Sequence, residues 1–158
     1  MNEISAENLA DLEKKYRNTA IIIVAQISVL LILIASVWFL IPDSENAISQ
    51  NTLFTLWAAI IFVALGTFIL RRMFFRWNRL RDVTLLKGIN GLLQTLQINA
   101  IILAAMAGTI AVIGLAITVL SGATIETFRA GLVSLILFTI NFPRKSVWRK
   151  IAANLQEL

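Results

Sequence analysis

Apolar residues in this chain are grouped in long uninterrupted blocks separated by short charged ones, a pattern that predicts membrane-crossing helices. Thr19 to Ile41 carries no charge, and 23 helical residues extend about 34 Å, enough to cross a bilayer core. Trp38 lies near the far end, where an indole suits the headgroup boundary, and Pro42 stops the helix. A short loop with Asp43 and Glu45 but no Lys or Arg follows. The second block ends abruptly at Arg71 and Arg72. A third leads to Ser121-Gly122, a turn signal, and a fourth is bounded by Pro143. The spans are placed at about 19–41, 52–70, 99–120 and 126–142. The expected fold is a single all-α membrane domain, 1–158: an integral membrane four-helix bundle of two transmembrane hairpins with short amphipathic cytoplasmic helices.

Those short helices are expected at about 5–18, 71–98 and 144–158. In the first, Ser5 is placed to cap, Ile4 and Leu9 to form a hydrophobic staple, and Leu9, Leu12 and Tyr16 to share a face. Asp11 with Lys15 and Glu13 with Arg17 stand at the i,i+4 spacing of favourable pairs. In the second, helix two is expected to continue past the membrane, because Met73, Trp77 and Leu80 repeat by four and three beside Arg72, Arg76 and Arg79. Leu85, Ile89, Leu92 and Leu96 make another stripe, with Gly88 and Gly91 read as a flexible helix start. Trp148, Ile151, Leu155 and Leu158 stripe the tail. These apolar faces need burial, either against one another as a cap, expected of the first two pieces, or on the inner leaflet.

Inside the spans the most regular feature is a seam of small residues in the third: Ala100, Ala104, Ala107, Ala111, Gly114, Thr118 and Ser121, in steps of four and three. Helices in lipid gain little from burying apolar surface and associate where small side chains let backbones approach. A seven-residue period favours a left-handed crossing near +20°. The fourth span carries a counterpart, Thr127, Gly131, Ser134, Phe138 and Asn141, and is the expected neighbour across the short turn. Ile113 is expected to face lipid.

Charge fixes an expected orientation. Of the 14 Lys and Arg, 13 fall in the N-terminal segment, the middle loop and the tail, and only Arg129 falls elsewhere. By the positive-inside rule those three segments are cytoplasmic. The basic excess is therefore read as orientation, not nucleic-acid binding. The basic cytoplasmic face comprises Arg71, Arg72, Arg76, Arg79, Arg81, Arg144, Lys145, Arg149 and Lys150. Met1 to Asn18 has mixed charge, unlike a cleavable leader, so the first span is expected to be retained as an anchor. The chain also lacks Asn-x-Ser/Thr acceptors, which fits a bacterial inner-membrane protein.

Chemistry is sparse. There is no cysteine and no histidine, which removes disulfides, thiolate sites and the commonest general base and metal ligand. No span has a charge near its centre, the usual mark of proton- or ion-coupled transport. Gln26 is the deepest long polar side chain, read as an interhelical hydrogen bond. Glu126 and Arg129, three apart at the outer start of helix four, are read as an interfacial pair. No catalytic residue, cofactor or metal site is expected. The expected function is that of a non-catalytic structural or accessory subunit, or an assembly factor. The alternative is a small channel or transporter without a mid-membrane charge. Expected partners are the bilayer with its anionic headgroups, and copies of itself or a larger membrane complex.

Overall fold

A computed structural model describes residues 6–40 and 48–155. Ser5 with Ile4, Pro42, Asp43 and Glu45, and Leu158 lie outside the described residues. The rest is helical: α1 (Ala6–Leu40), α2 (Gln50–Phe74), α3 (Trp77–Ser121), α4 (Thr124–Asn141) and α5 (Lys145–Leu155). Four of these stretches are long and apolar enough to cross a membrane. The outward faces agree: Ile32 and Phe39 of α1, Phe62 of α2 and Val119 of α3 are all more than half exposed, a surface that lipid suits and water does not.

α3 is the centre of the molecule. α1, α2 and α4 all pack on it, α1 also touches α4, and among the described residues α1 and α2 do not meet. Only α3 and α4 therefore form a packed hairpin; the expected first hairpin is instead two helices on separate flanks of α3. The hairpin turn is built by Gly122, whose φ of 72° lies in the left-handed region and whose N–H donates to the Thr118 carbonyl at 2.7 Å.

Three local expectations change. The N-terminal amphipathic segment is not a separate helix but the first turns of α1, since Glu7 to Asn18 contains no breaker and Leu12, Thr19, Ile23, Leu30 and Val37 hold one buried face along the whole length. Helix two does not run on through Trp77: it stops at Phe74, Arg76 is extended (φ −64°, ψ 130°), and Leu80 N–H donates to the Arg76 carbonyl at 3.2 Å to start α3. The Asn99 amide donates to the Phe74 carbonyl, left over at the end of α2, at 3.4 Å, and the Arg79 guanidinium sits 4.8 Å from the Phe74 ring centre. α3 is itself broken at Gly88, where φ 65° and ψ −172° are open only to glycine. The break rotates the stripe, so Leu92 and Leu96 are buried, Ile89 is half-buried and Leu85 is exposed.

Ile113 is half-buried against the core, not lipid-facing; Val112 beside it is the exposed position.

Candidate functional site

The seam residues of α3 are all buried; Ala107, Gly114 and Thr118 meet α4, while Ala104 and Ala111 also line the groove between α1 and α3. Ala107 through Thr118 present a shallow trough, and Thr127, Ala130 and Ser134 of α4 fit into it. At Gly114 the approach is closest: a Cβ there would overlap the Ala130 Cβ and lie 3.6 Å from the Ala130 backbone. On the far side of α4, a Cβ at Gly131 would stand 2.5 Å from the Ile34 Cδ1 of α1. α4 is thus wedged between two helices through two glycines. Hydroxyls fasten it: Ser134 Oγ donates to the Ala107 carbonyl at 2.6 Å, and Thr127 N–H donates to Thr118 Oγ1 at 3.0 Å. Thr118 Oγ1 donates in turn to the Ala123 carbonyl at 3.1 Å. Thr127 Oγ1 lies 2.7 Å from Thr118 Oγ1 and 3.3 Å from the Gly114 carbonyl. In an environment without water each such group needs a protein partner.

Glu126 is buried at the start of α4 and fully engaged. The Trp57 indole of α2 donates to Oε2 at 2.9 Å and Arg129 to Oε1 at 2.7 Å. The expected pair is present, and Trp57 is the member that sequence did not supply. Its indole is the polar tie between α2 and α4, helices that otherwise touch little.

At the opposite, basic end, α5 folds back under the bundle. Trp148, Ala152 and Leu155 are buried with Leu12, Leu80, Leu92, Leu93 and Leu96, and Tyr16 meets the Trp148 ring edge-on at 5.9 Å. This is the cap arrangement, and the tail takes part in it. Glu13 does not pair with Arg17; its Oε1 holds Lys145 at 2.7 Å and Arg149 at 2.8 Å, tying α1 to α5. The Lys145 hydrogen bond, followed by that of Arg149, holds the Glu13 carboxyl below its ordinary range. Asp11 and Lys15 pair at 3.0 Å, and Lys15 also donates to the Asn90 carbonyl.

The nine residues of the basic face accordingly divide. Lys145 and Arg149 are spent on docking α5. Arg72, Arg76, Arg79, Arg81 and Lys150 are exposed, none with a carboxylate partner among the described residues. Arg71 and Arg144 line one cavity with Asn141, whose Oδ1 is buried without a hydrogen-bond partner. Gln26 does not make the expected bond through its oxygen: Oε1 is buried and unpartnered, in a groove of about 620 Å³ between α1 and α3 whose other walls are apolar apart from Thr109. Among the described residues no three His, Cys, Asp or Glu come together.

With four membrane-length helices around a polar-fastened α3–α4 core, the chain has the build of a multi-pass helical membrane protein. No known protein family, curated protein or solved structure matches it.

Proposed function

We propose that this chain is a non-catalytic component of a membrane assembly, a structural or accessory subunit or an assembly factor, acting through helix packing and a basic face. The observation that supports this most is the use of its ionisable groups. Glu126 is bound by Trp57 and Arg129, Glu13 by Lys145 and Arg149, and Asp11 by Lys15. Glu126 and Glu13 each join two helices, and no span carries a charge near its centre. The unpaired cations gather at one end, where a partner or a leaflet can meet them. In this reading both termini and the middle loop are cytoplasmic, in a bacterial inner membrane, and the chain functions beside further copies or within a larger complex.

Gln26 supports the second reading, a small channel or transporter without a mid-membrane charge. Its unpartnered oxygen in the α1–α3 groove could meet a neutral solute. Extraction in mild detergent separates the two. A subunit brings a larger complex with it; a transporter purifies alone, and its flux in liposomes is lost in Gln26→Ala. Isolation of the chain alone with such flux would overturn the first reading.

A further inference from the structure

We propose that the cavity at the basic end, between α2, α3, α4 and α5, binds the headgroup of one anionic phospholipid. This rests on the reading of the chain as a membrane protein and names the lipid chemistry its basic end selects. The cavity measures about 380 Å³; Arg71 enters from α2, Asn141 and Arg144 from the corner between α4 and α5, and Phe75, Leu103 and Ile151 supply apolar walls.

Three unmet demands converge there. Neither Arg71 nor Arg144 has a carboxylate partner among the described residues, and Asp11 and Glu13, acids of the same end, are already paired. Asn141 Oδ1 is buried and accepts no hydrogen bond, a cost that a donor from a ligand would remove. Arg144 stands just before α5, which begins at Lys145 and has no acid in its first turn, although a helix start carries partial positive charge and disfavours cations. Glu13 answers Lys145; nothing described answers Arg144.

A phospholipid with an anionic phosphodiester and a headgroup hydroxyl meets all three. Its phosphate oxygens take charge-assisted bonds from Arg71 and Arg144 and offset the start of α5. Its hydroxyl donates to Asn141 Oδ1. The apolar walls accept glycerol and the first acyl carbons, which free phosphate does not possess. Basic pockets between membrane helices bind anionic headgroups on this principle.

The test uses the full chain purified in neutral detergent and titrated separately with phosphatidylglycerol, phosphatidylmethanol, phosphatidylcholine and inorganic phosphate. Bound lipid is counted by native mass spectrometry and the thermal midpoint is followed. One phosphatidylglycerol is expected to be retained and to raise the midpoint, while phosphatidylcholine and phosphate do neither. Arg144→Gln, at an exposed side chain with no ion pair among the described residues, should weaken phosphatidylglycerol about tenfold, as loss of a charge-assisted bond does. Arg76→Gln, outside the cavity, should leave it unchanged. Asn141→Ala should erase the preference for phosphatidylglycerol over phosphatidylmethanol, whose headgroup has no donor. Equal losses in Arg76→Gln and Arg144→Gln, equal stabilisation by phosphate, or no retained lipid would each overturn the proposal. Copurifying proteins play no part in these measurements, so failure of the subunit reading leaves a distinct signature.

Discussion

Gly114 and Gly108 lie on the same helix and differ in what a methyl group would meet. At Gly114 an added Cβ overlaps the Ala130 Cβ, close to the backbone of Ala130 and the Glu126 carbonyl, so α4 itself must move. At Gly108 the nearest atom is the Phe138 Cζ, 4.0 Å away, an ordinary contact. Replacing glycine by alanine within a helix is favourable by about 1 kcal/mol, and both variants receive that gain. Gly114→Ala also incurs overpacking of about 1–3 kcal/mol, and any displacement of α4 strains the Thr127 and Ser134 hydrogen bonds. Gly108→Ala should therefore be neutral or stabilised by up to about 1 kcal/mol, and Gly114→Ala should fall below it by about 1–3 kcal/mol. At roughly 2–4 °C per kcal/mol for a chain of this size, thermal unfolding in detergent followed by circular dichroism resolves the gap. Gly114→Leu should be worse still, while Val112→Leu, at an exposed position, should change little. Equal midpoints for the two alanine variants would refute the close-packing of α3 on α4.

Three further outcomes are expected. Gly131→Ala should be destabilised by contact with Ile34 and partly rescued by Ile34→Ala, which a double-mutant cycle in detergent would register as coupling. Trp57→Phe and Glu126→Gln should couple in the same way, and a cycle reading zero would mean that the indole bond does not hold α2 to α4. Because the Glu13 carboxyl titrates below its ordinary range in the folded chain, its contribution is complete above that range and is lost as pH falls through the folded value. Limited proteolysis of the tail should thus be unchanged in mildly acidic solution and accelerate only once the pH falls below the ordinary carboxylate range, and Glu13→Gln should release the tail at neutral pH and remove that dependence.

The α3–α4 seam was legible in sequence because it is written in residue size: in a helix apolar on every side, only small residues mark a face. The buried face of α1 was not legible for the same reason. Ile23, Leu30 and Val37 are no more apolar than the outward Ile32 and Val29, and nothing local tells them apart. The end of α2 at Phe74 escaped because no proline or glycine marks it; its terminal carbonyl is met by Asn99, 25 residues away. At Gly88 the breaker was visible but not its consequence, a rotation that exposes Leu85. Around the candidate sites, Glu126 with Arg129 followed from i,i+3 spacing, whereas Trp57 with Glu126 and Lys145 with Glu13 join distant segments and carry no local signal. Glu13 shows how a correct local rule is displaced: Arg17 stands at the right spacing, but two cations from α5 hold the carboxylate instead.

Four membrane crossings with the basic segments on one side can be measured most directly by single-cysteine labelling, since the chain has no cysteine of its own and each introduced thiol is unique. Ser49→Cys, Asn78→Cys and Asn154→Cys all replace exposed side chains. In intact spheroplasts a membrane-impermeant maleimide should label Ser49→Cys alone, and Asn78→Cys and Asn154→Cys should react only after permeabilisation. Labelling of Asn78→Cys or Asn154→Cys in intact spheroplasts, or protection of Ser49→Cys there, would contradict the arrangement.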